Sequence, residues 1–253
     1  LLLLYKEYIR KYKIHNFVET EYIIEKQRMI KDEEEMSNII KACNITDDCY
    51  KYILSYIKPG MTEKQIAKEI DDYYIERTDG ISFDTIVASG ENSSKPHAVP
   101  TDRKIQEKDI ITIDMGCKVN GYCSDMTRTF FVGEPTEEMK KVYDLVLSNQ
   151  EFALDQYKEG ASTRQVTKMV ENDFKLNGYD LIHSLGHGVG LEIHEPPYVG
   201  YRNDTTLREN MVVTDEPGIY IPGKFGVRIE DTVQITKFGC VSLTTSEKGY
   251  VII

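Results

Sequence analysis

No CxxC pair occurs in this chain, although it holds five cysteines: Cys43, Cys49, Cys117, Cys123 and Cys240. An odd, scattered set of thiols argues against a disulfide framework and against structural zinc, and it fits a reducing, cytoplasmic setting. A block of Lys and Arg is also missing. The formal net charge is −11, so nucleic acid is not an expected partner. Long apolar runs are absent too. Leu1 to Leu4 give way at once to charged residues, far short of a signal peptide or of the roughly 20 apolar residues of a spanning helix. No membrane partner is expected. There is no initiator Met, which suggests a fragment or a processed product. What is present is 253 residues, 40% of them hydrophobic, enough for one large or two small domains with an adequate core.

Five side chains of metal-binding type stand out from residue 114 onward: Asp114, Asp125, His187, Glu216 and Glu230. Asp114 ends the apolar run Ile110-Ile111-Thr112-Ile113. Asp125 lies just past the turn that follows it. His187 is flanked by Gly186 and Gly188, Glu216 precedes Pro217-Gly218, and Glu230 closes Gly226-Val227-Arg228-Ile229. Four carboxylates brought together repel one another, so some must take protons or gain cations. A pair of divalent ions resolves the conflict. That points to a two-metal hydrolase site, in which the ions activate water and polarise a carbonyl.

A faint internal repeat organises the chain. Lys58-Pro59-Gly60-Met61-Thr62-Glu63-Lys64-Gln65 resembles Lys158-Glu159-Gly160-Ala161-Ser162-Thr163-Arg164-Gln165. Thr62 with Gln65, and Ser162 with Gln165, have the spacing of capping boxes at helix starts. A long helix precedes each copy. Met36, Ile39, Ile40, Cys43, Ile53, Leu54 and Ile57 carry the first, and Met139, Val142, Tyr143, Val146 and Leu147 the second. Pro59-Gly60 and Gly160 end them. Strands are expected at Ile110 to Met115, Thr127 to Val132, Met211 to Glu216 and Val227 to Ile235. Two successive α-α-β-β units imply an α+β domain with pseudo-twofold symmetry. Asp114 lines up with Asp215-Glu216 and Asp125 roughly with Glu230, which places the metal site between the halves. Residues 1 to 30 fall outside the repeat. They read as a lead-in, the remnant of another domain, with Phe17-Val18 as a strand.

Local chemistry sharpens the site. Asn120-Gly121 is a strong two-residue hairpin signal. It pairs Val119 with Tyr122 and hence Asp114 with Thr127, and makes Asp125 the diagonal neighbour of Asp114, roughly 7–8 Å away on the same face. His183-Ser184-Leu185-Gly186-His187 sets two histidines four apart, but it lacks the glutamate of the zinc-protease helix. Its glycines favour an extended segment with close backbone approach. One histidine reads as a ligand and the other as a neighbour of the substrate. His97, in a polar segment, reads on its own as a solvated loop residue. Arg228 precedes Glu230 by two, so a strand would point both to one face. There it could clamp a substrate carboxylate or carbonyl, or form a structural salt bridge.

The segments Lys95-Pro96-His97, Asp114-Met115-Gly116, Ser124-Asp125-Met126-Thr127-Arg128-Thr129, Gly186-His187-Gly188-Val189-Gly190-Leu191-Glu192-Ile193-His194-Glu195, Asp215-Glu216-Pro217-Gly218 and Gly226-Val227-Arg228-Ile229-Glu230-Asp231 resemble, in order, the pita-bread metallopeptidases. The nearest branch is that of the Xaa-Pro peptidases, aminopeptidase P and prolidase. The resemblance covers about residues 17 to 253. It implies the pita-bread fold and a catalytic domain over 31–253.

The resemblance also implies roles. Asp114 would be a terminal ligand of one ion, Asp125 and Glu230 would bridge both, and His187 and Glu216 would complete the second. The ions would hold the water that attacks the scissile carbonyl. Glu216 would also shuttle the proton, His194 would steady the oxyanion, and His97, His183 and Arg228 would shape the pocket. Carboxylate-rich ligation favours manganese, with cobalt or zinc as substitutes in vitro. Expected substrates are peptides with proline second, and a homodimer is compatible. Methionine aminopeptidase is the alternative enzyme; Arg228 and His183 argue against it. A non-catalytic binding protein on the same fold is more remote, since all five ligands are present.

Overall fold

The computed structural model describes residues 2–13, 20–202 and 204–253. The strand expected at Phe17-Val18 lies outside them. Two helices, α1 (Leu2–Tyr12) and α2 (Ile23–Arg28), precede α3 (Glu33–Tyr56). Asp32 starts α3 with a full capping box. Its carboxylate accepts from the Glu34 and Glu35 N–H groups at 3.0 and 2.9 Å, and the Glu35 carboxylate accepts from Asp32 N–H at 2.8 Å. Ile39, Cys43 and Ile53 are buried along one face, while Ile40 falls off that face and is exposed. The helix ends at Tyr56, ahead of the expected stop. Lys58 precedes Pro59, where the helical conformation is disfavoured, and Gly60 takes φ +94°.

The chain continues through α4 (Glu63–Ile75), β1 (Ile86–Ser89), a 3₁₀ turn at Gly90–Ser94, β2 (Ile110–Met115), β3 (Lys118–Val119), β4 (Tyr122–Cys123) and β5 (Met126–Phe131). After these come α5 (Glu137–Gln156), α6 (Thr163–Leu176), β6 (Gly186–Gly188), β7 (Glu195–Val199), β8 (Val212–Asp215), β9 (Gly218–Ile221), β10 (Phe225–Arg228), β11 (Asp231–Ile235) and β12 (Cys240–Ser242). The hairpin register is the expected one, with Val119 opposite Tyr122 and Asp114 opposite Thr127. Asn120 and Gly121 both take positive φ, +50° and +82°, as a tight two-residue turn requires.

The repeat is built into the hydrogen bonding. The first sheet runs β1-β2-β5, and the second contains β6-β8-β11 in the same relative order, all antiparallel. Gly60 N–H donates to Ile105 O at 2.8 Å, and Gly160 N–H to Leu207 O at 2.9 Å. Glu63 N–H meets Arg103 O, as Thr163 N–H meets Thr205 O. The capping box at Thr62 is complete, and Ser162 accepts from Gln165 N–H at 3.2 Å. One apolar cluster lies under α3, α4 and the first sheet. A second lies under α5, α6 and β8 to β11. The layers are therefore the expected α+β arrangement, doubled.

Three details differ from the sequence reading. Strands β1 and β6 belong to the repeat although β6 is only Gly-His-Gly. Its glycines allow close packing: a Cβ on Gly186 would meet Thr214 O at 2.1 Å. The strand expected across Val227 to Ile235 is two strands, broken at Ile229-Glu230. There Glu230 N–H turns to Thr127 O at 3.1 Å, in the other half. That contact also revises the alignment. The paired bonds at Arg103/Thr205 and Ile105/Leu207 fix an offset that matches Asp114 to Glu216, and the ladder then matches Glu230 to Thr127 rather than to Asp125.

Candidate active site and metal centre

The two sheets bring the five acidic and histidine positions into one pocket of about 490 Å³, which also takes in His97, His183, His194 and Arg228. Every site residue read from the sequence lines this cavity. The ligating atoms of Asp125, His187 and Glu230 lie within 4.8 Å of one another, and all three residues are buried. His187 Nε2 stands 3.4 Å from Asp125 Oδ2 and 3.5 Å from Glu216 Oε1.

Each side chain is held by its own element. β6 places His187, whose backbone N–H donates to Thr214 Oγ1 at 3.0 Å. The ring Nδ1 sits 3.1 Å from Gly188 O. A carbonyl can only accept, so Nδ1 carries the proton and Nε2 offers its lone pair to the pocket, the tautomer a metal ligand needs. Glu216 follows β8, and its backbone N–H donates to Leu185 O at 2.8 Å. Glu230 Oε2 accepts from Thr127 Oγ1 at 2.6 Å.

The electrostatics call for cations. Burial drives the Asp125 carboxyl well above its ordinary range, and the Asp114 and Glu216 carboxylates push it further. Glu230 is raised for the same reason, burial first, then Asp125, Glu216 and Asp114. Arg228 supplies one positive charge, to Asp114 Oδ2 at 2.6 Å. Asp114 Oδ1 is buried with no hydrogen-bond partner among the described residues. An orphaned carboxylate oxygen beside a crowded acidic cluster fits divalent metal ions.

Arg228 is more occupied than the sequence reading allowed. Its Nε donates to Thr127 Oγ1 at 3.0 Å. Nη1 donates to Pro96 O at 3.0 Å and to Tyr220 Oη at 2.8 Å, and Nη2 donates to Asp114. A guanidinium has five N–H donors, so little remains for a two-pronged substrate clamp. Its partner among the acidic positions is Asp114, not Glu230.

Tyr220 escaped the sequence reading, because a lone Tyr in a strand carries no motif. His183 Nδ1 donates to Ser184 O at 2.8 Å, so its Nε2 accepts from Tyr220 Oη at 3.0 Å. Arg228, Tyr220 and His183 thus form a chain of donors along one wall. Burial lowers the His183 pKa. His194 lies at the rim with its ring 4.2 Å from that of His187, edge to face. Its pKa is lowered too, by burial and by His187. Both rings are therefore held neutral at and above their ordinary range. His97 lines the pocket as an exposed residue.

Residues 37–237 match the sequence model of metallopeptidase family M24. The Xaa-Pro dipeptidase of Pyrococcus horikoshii is 41% identical over 97% of this chain and 71% of its own length. A Bacillus subtilis relative named "uncharacterized peptidase YqhT" is 41% identical over 91% of this chain and 66% of its own. The crystal structure of an X-Pro aminopeptidase from Thermotoga maritima superposes with a TM-score of 0.94 at 38% identity, covering all of this chain and 73% of that one. The chain spans about two thirds of the length of the curated relatives it matches.

Proposed function

The chain belongs to metallopeptidase family M24 and has its pita-bread fold, and we propose that it is a dinuclear-metal exopeptidase cleaving the bond between an N-terminal residue and a following proline. The convergence of Asp125, His187 and Glu230 on one point, with Asp114 and Glu216 beside them, carries this reading. The relatives named for Xaa-Pro substrates support the specificity. The catalytic unit is residues 31–253, with 1–30 as the lead-in from a further domain. No helix among the described residues is long and apolar enough to cross a membrane. The cytoplasm is the proposed setting.

In this reading Asp114 would hold one ion, Asp125 and Glu230 would be shared by both, and His187 and Glu216 would complete the second. Carboxylate-rich ligation favours manganese over cobalt or zinc. Ions bound there supply an acidified water and a polarised carbonyl. Glu216, whose side chain is more open than those of Asp114, Asp125 and His187, takes the proton from the attacking water and passes it to the departing prolyl nitrogen. His194 donates to the oxyanion of the tetrahedral intermediate. Proline in second position makes a tertiary amide without N–H, so recognition falls to shape and to donors for neighbouring oxygens. The Tyr220–His183 wall provides the shape, its protons being taken by His183 Nε2 and Ser184 O, the last donor of Arg228 serves an oxygen, and His97 closes the pocket.

Elemental analysis joined to a substrate panel tests the proposal. Two divalent ions per chain, with turnover of an Xaa-Pro dipeptide or an Xaa-Pro-Xaa peptide, are expected. Preference for a Met-Ala peptide would make the chain a methionine aminopeptidase. A metal-free protein without turnover would be a binding module.

A further inference from the structure

Glu195 follows His194 directly and opens β7, where it pairs with Gly188, next to His187. It is 2% exposed. Its carboxylate accepts from Lys31 Nζ at 2.9 Å, from an Arg28 guanidinium N–H, and from Glu192 N–H at 3.3 Å. Arg28 also reaches Glu192 Oε1 at 3.5 Å. Two cations from ahead of α3 thus grip both ends of the turn 192–195, which carries His194.

Lys31 is itself anchored. It is buried, its N–H donates to Asn210 O at 2.9 Å, and Ile30 bridges Met211 just before β8. Gly190 completes the seat. A Cβ there would meet Glu195 Oε1 at 2.5 Å, and Gly190 O accepts from Cys123 N–H at 2.8 Å. A buried carboxylate stays put only while its counter-charges and hydrogen bonds hold it. A reacting group misplaced by about an ångström can lose much of its effect.

We propose that Arg28 and Lys31 are positioning residues for His194, acting through Glu195. This rests on the oxyanion role proposed above for His194. The end of α2 then works as part of the catalytic unit, and a displacement of α2 is transmitted to the turn that carries His194.

Arg28→Ala is the informative variant, because the Arg28 side chain is 23% exposed, whereas replacing buried Lys31 risks the fold. In the metal-loaded enzyme, Arg28→Ala should lower kcat on an Xaa-Pro peptide by about tenfold, with KM and the number of bound ions unchanged. Arg28→Lys should recover part of the loss. In a His194→Ala background, Arg28→Ala should change kcat by less than about twofold, because coupled residues are not additive. Equal losses in both backgrounds, or loss of metal, overturn the proposal and leave Arg28 a general structural role. Independently of turnover, the ring NMR signals of His194, assigned by their disappearance in His194→Ala, should shift or broaden in metal-free Arg28→Ala. Unchanged signals overturn it. A wild type inactive on Xaa-Pro peptides would sink the functional reading alone, and the NMR comparison would still decide the role of Arg28 and Lys31.

Discussion

Thr127 Oγ1 donates to Glu230 Oε2 at 2.6 Å, joining at the pseudo-twofold axis two residues that hold matching places in the two halves. A carboxylate oxygen has more than one acceptor site, so this bond orients Glu230 without closing it to a cation. The same hydroxyl accepts from Arg228 Nε at 3.0 Å. Through it the axis ties a proposed bridging ligand to the arginine that holds Asp114.

The metal-free protein should grow less stable as pH rises. Asp125 and Glu230 have folded pKa values above their ordinary ones. The folded state therefore binds more protons than the unfolded one above pH of about 4, and stability falls from there up through the folded values. Saturating divalent metal should remove the share of this slope that Asp125 and Glu230 carry, as should the Asp125→Asn/Glu230→Gln double variant, while the buried Asp215 carboxyl, raised by burial as well, keeps its own share. Thermal unfolding of metal-free wild type and double variant from pH 4.5 to 8 checks it. Parallel curves would contradict it.

Removing either of the two carboxylates proposed to bridge should prevent both ions from binding. Asp125→Ala or Glu230→Ala is expected to bind no ions, whereas His187→Ala should weaken one site more than the other. Metal titration after chelation reads both outcomes. One tight ion left in Glu230→Ala would rule out bridging.

His194→Ala should lower kcat by about 10²–10³, the usual loss on deleting an oxyanion donor, with little change in KM. Steady-state kinetics showing only a raised KM would move His194 to substrate binding.

Arg228→Lys should weaken the ion at Asp114, because a lysine has no fork to hold Asp114, Tyr220 and Pro96 together. Tyr220→Phe should leave His183 Nε2 and one Arg228 donor unpaired, at a cost of about 1–3 kcal/mol in stability, and it should lower kcat/KM on Xaa-Pro substrates with both ions retained. Calorimetric metal titration separates the two variants. Identical metal affinities in Arg228→Lys and wild type would return Arg228 to a pure substrate role.

Gly186→Ala should be among the most damaging single changes. Its Cβ would meet Thr214 O at 2.1 Å, which forces β6 away from β8 and carries His187 from Glu216. Loss of metal together with a large fall in unfolding temperature is expected. A well-folded, metal-replete variant would show that β6 has room to shift.

The chain itself determined the elements with strong local chemistry. Capping at Thr62 and Ser162, the Asn120-Gly121 turn and the apolar run of Ile110 to Ile113 each depend on neighbours within a few residues. Helix starts, hairpin register and the diagonal placing of Asp125 beside Asp114 could therefore be read directly. The five acidic and histidine positions were legible as well, because carboxylates closing apolar runs are otherwise costly to bury. Tertiary structure decided what depends on contacts between the halves. The break at Ile229-Glu230 arises because Glu230 N–H bonds Thr127 O in the other half. Tyr220 joins the site through bonds to His183 and Arg228 that no spacing announces. Arg28 and Lys31 reach Glu195 across more than 160 residues, and only the folded chain brings those charges together.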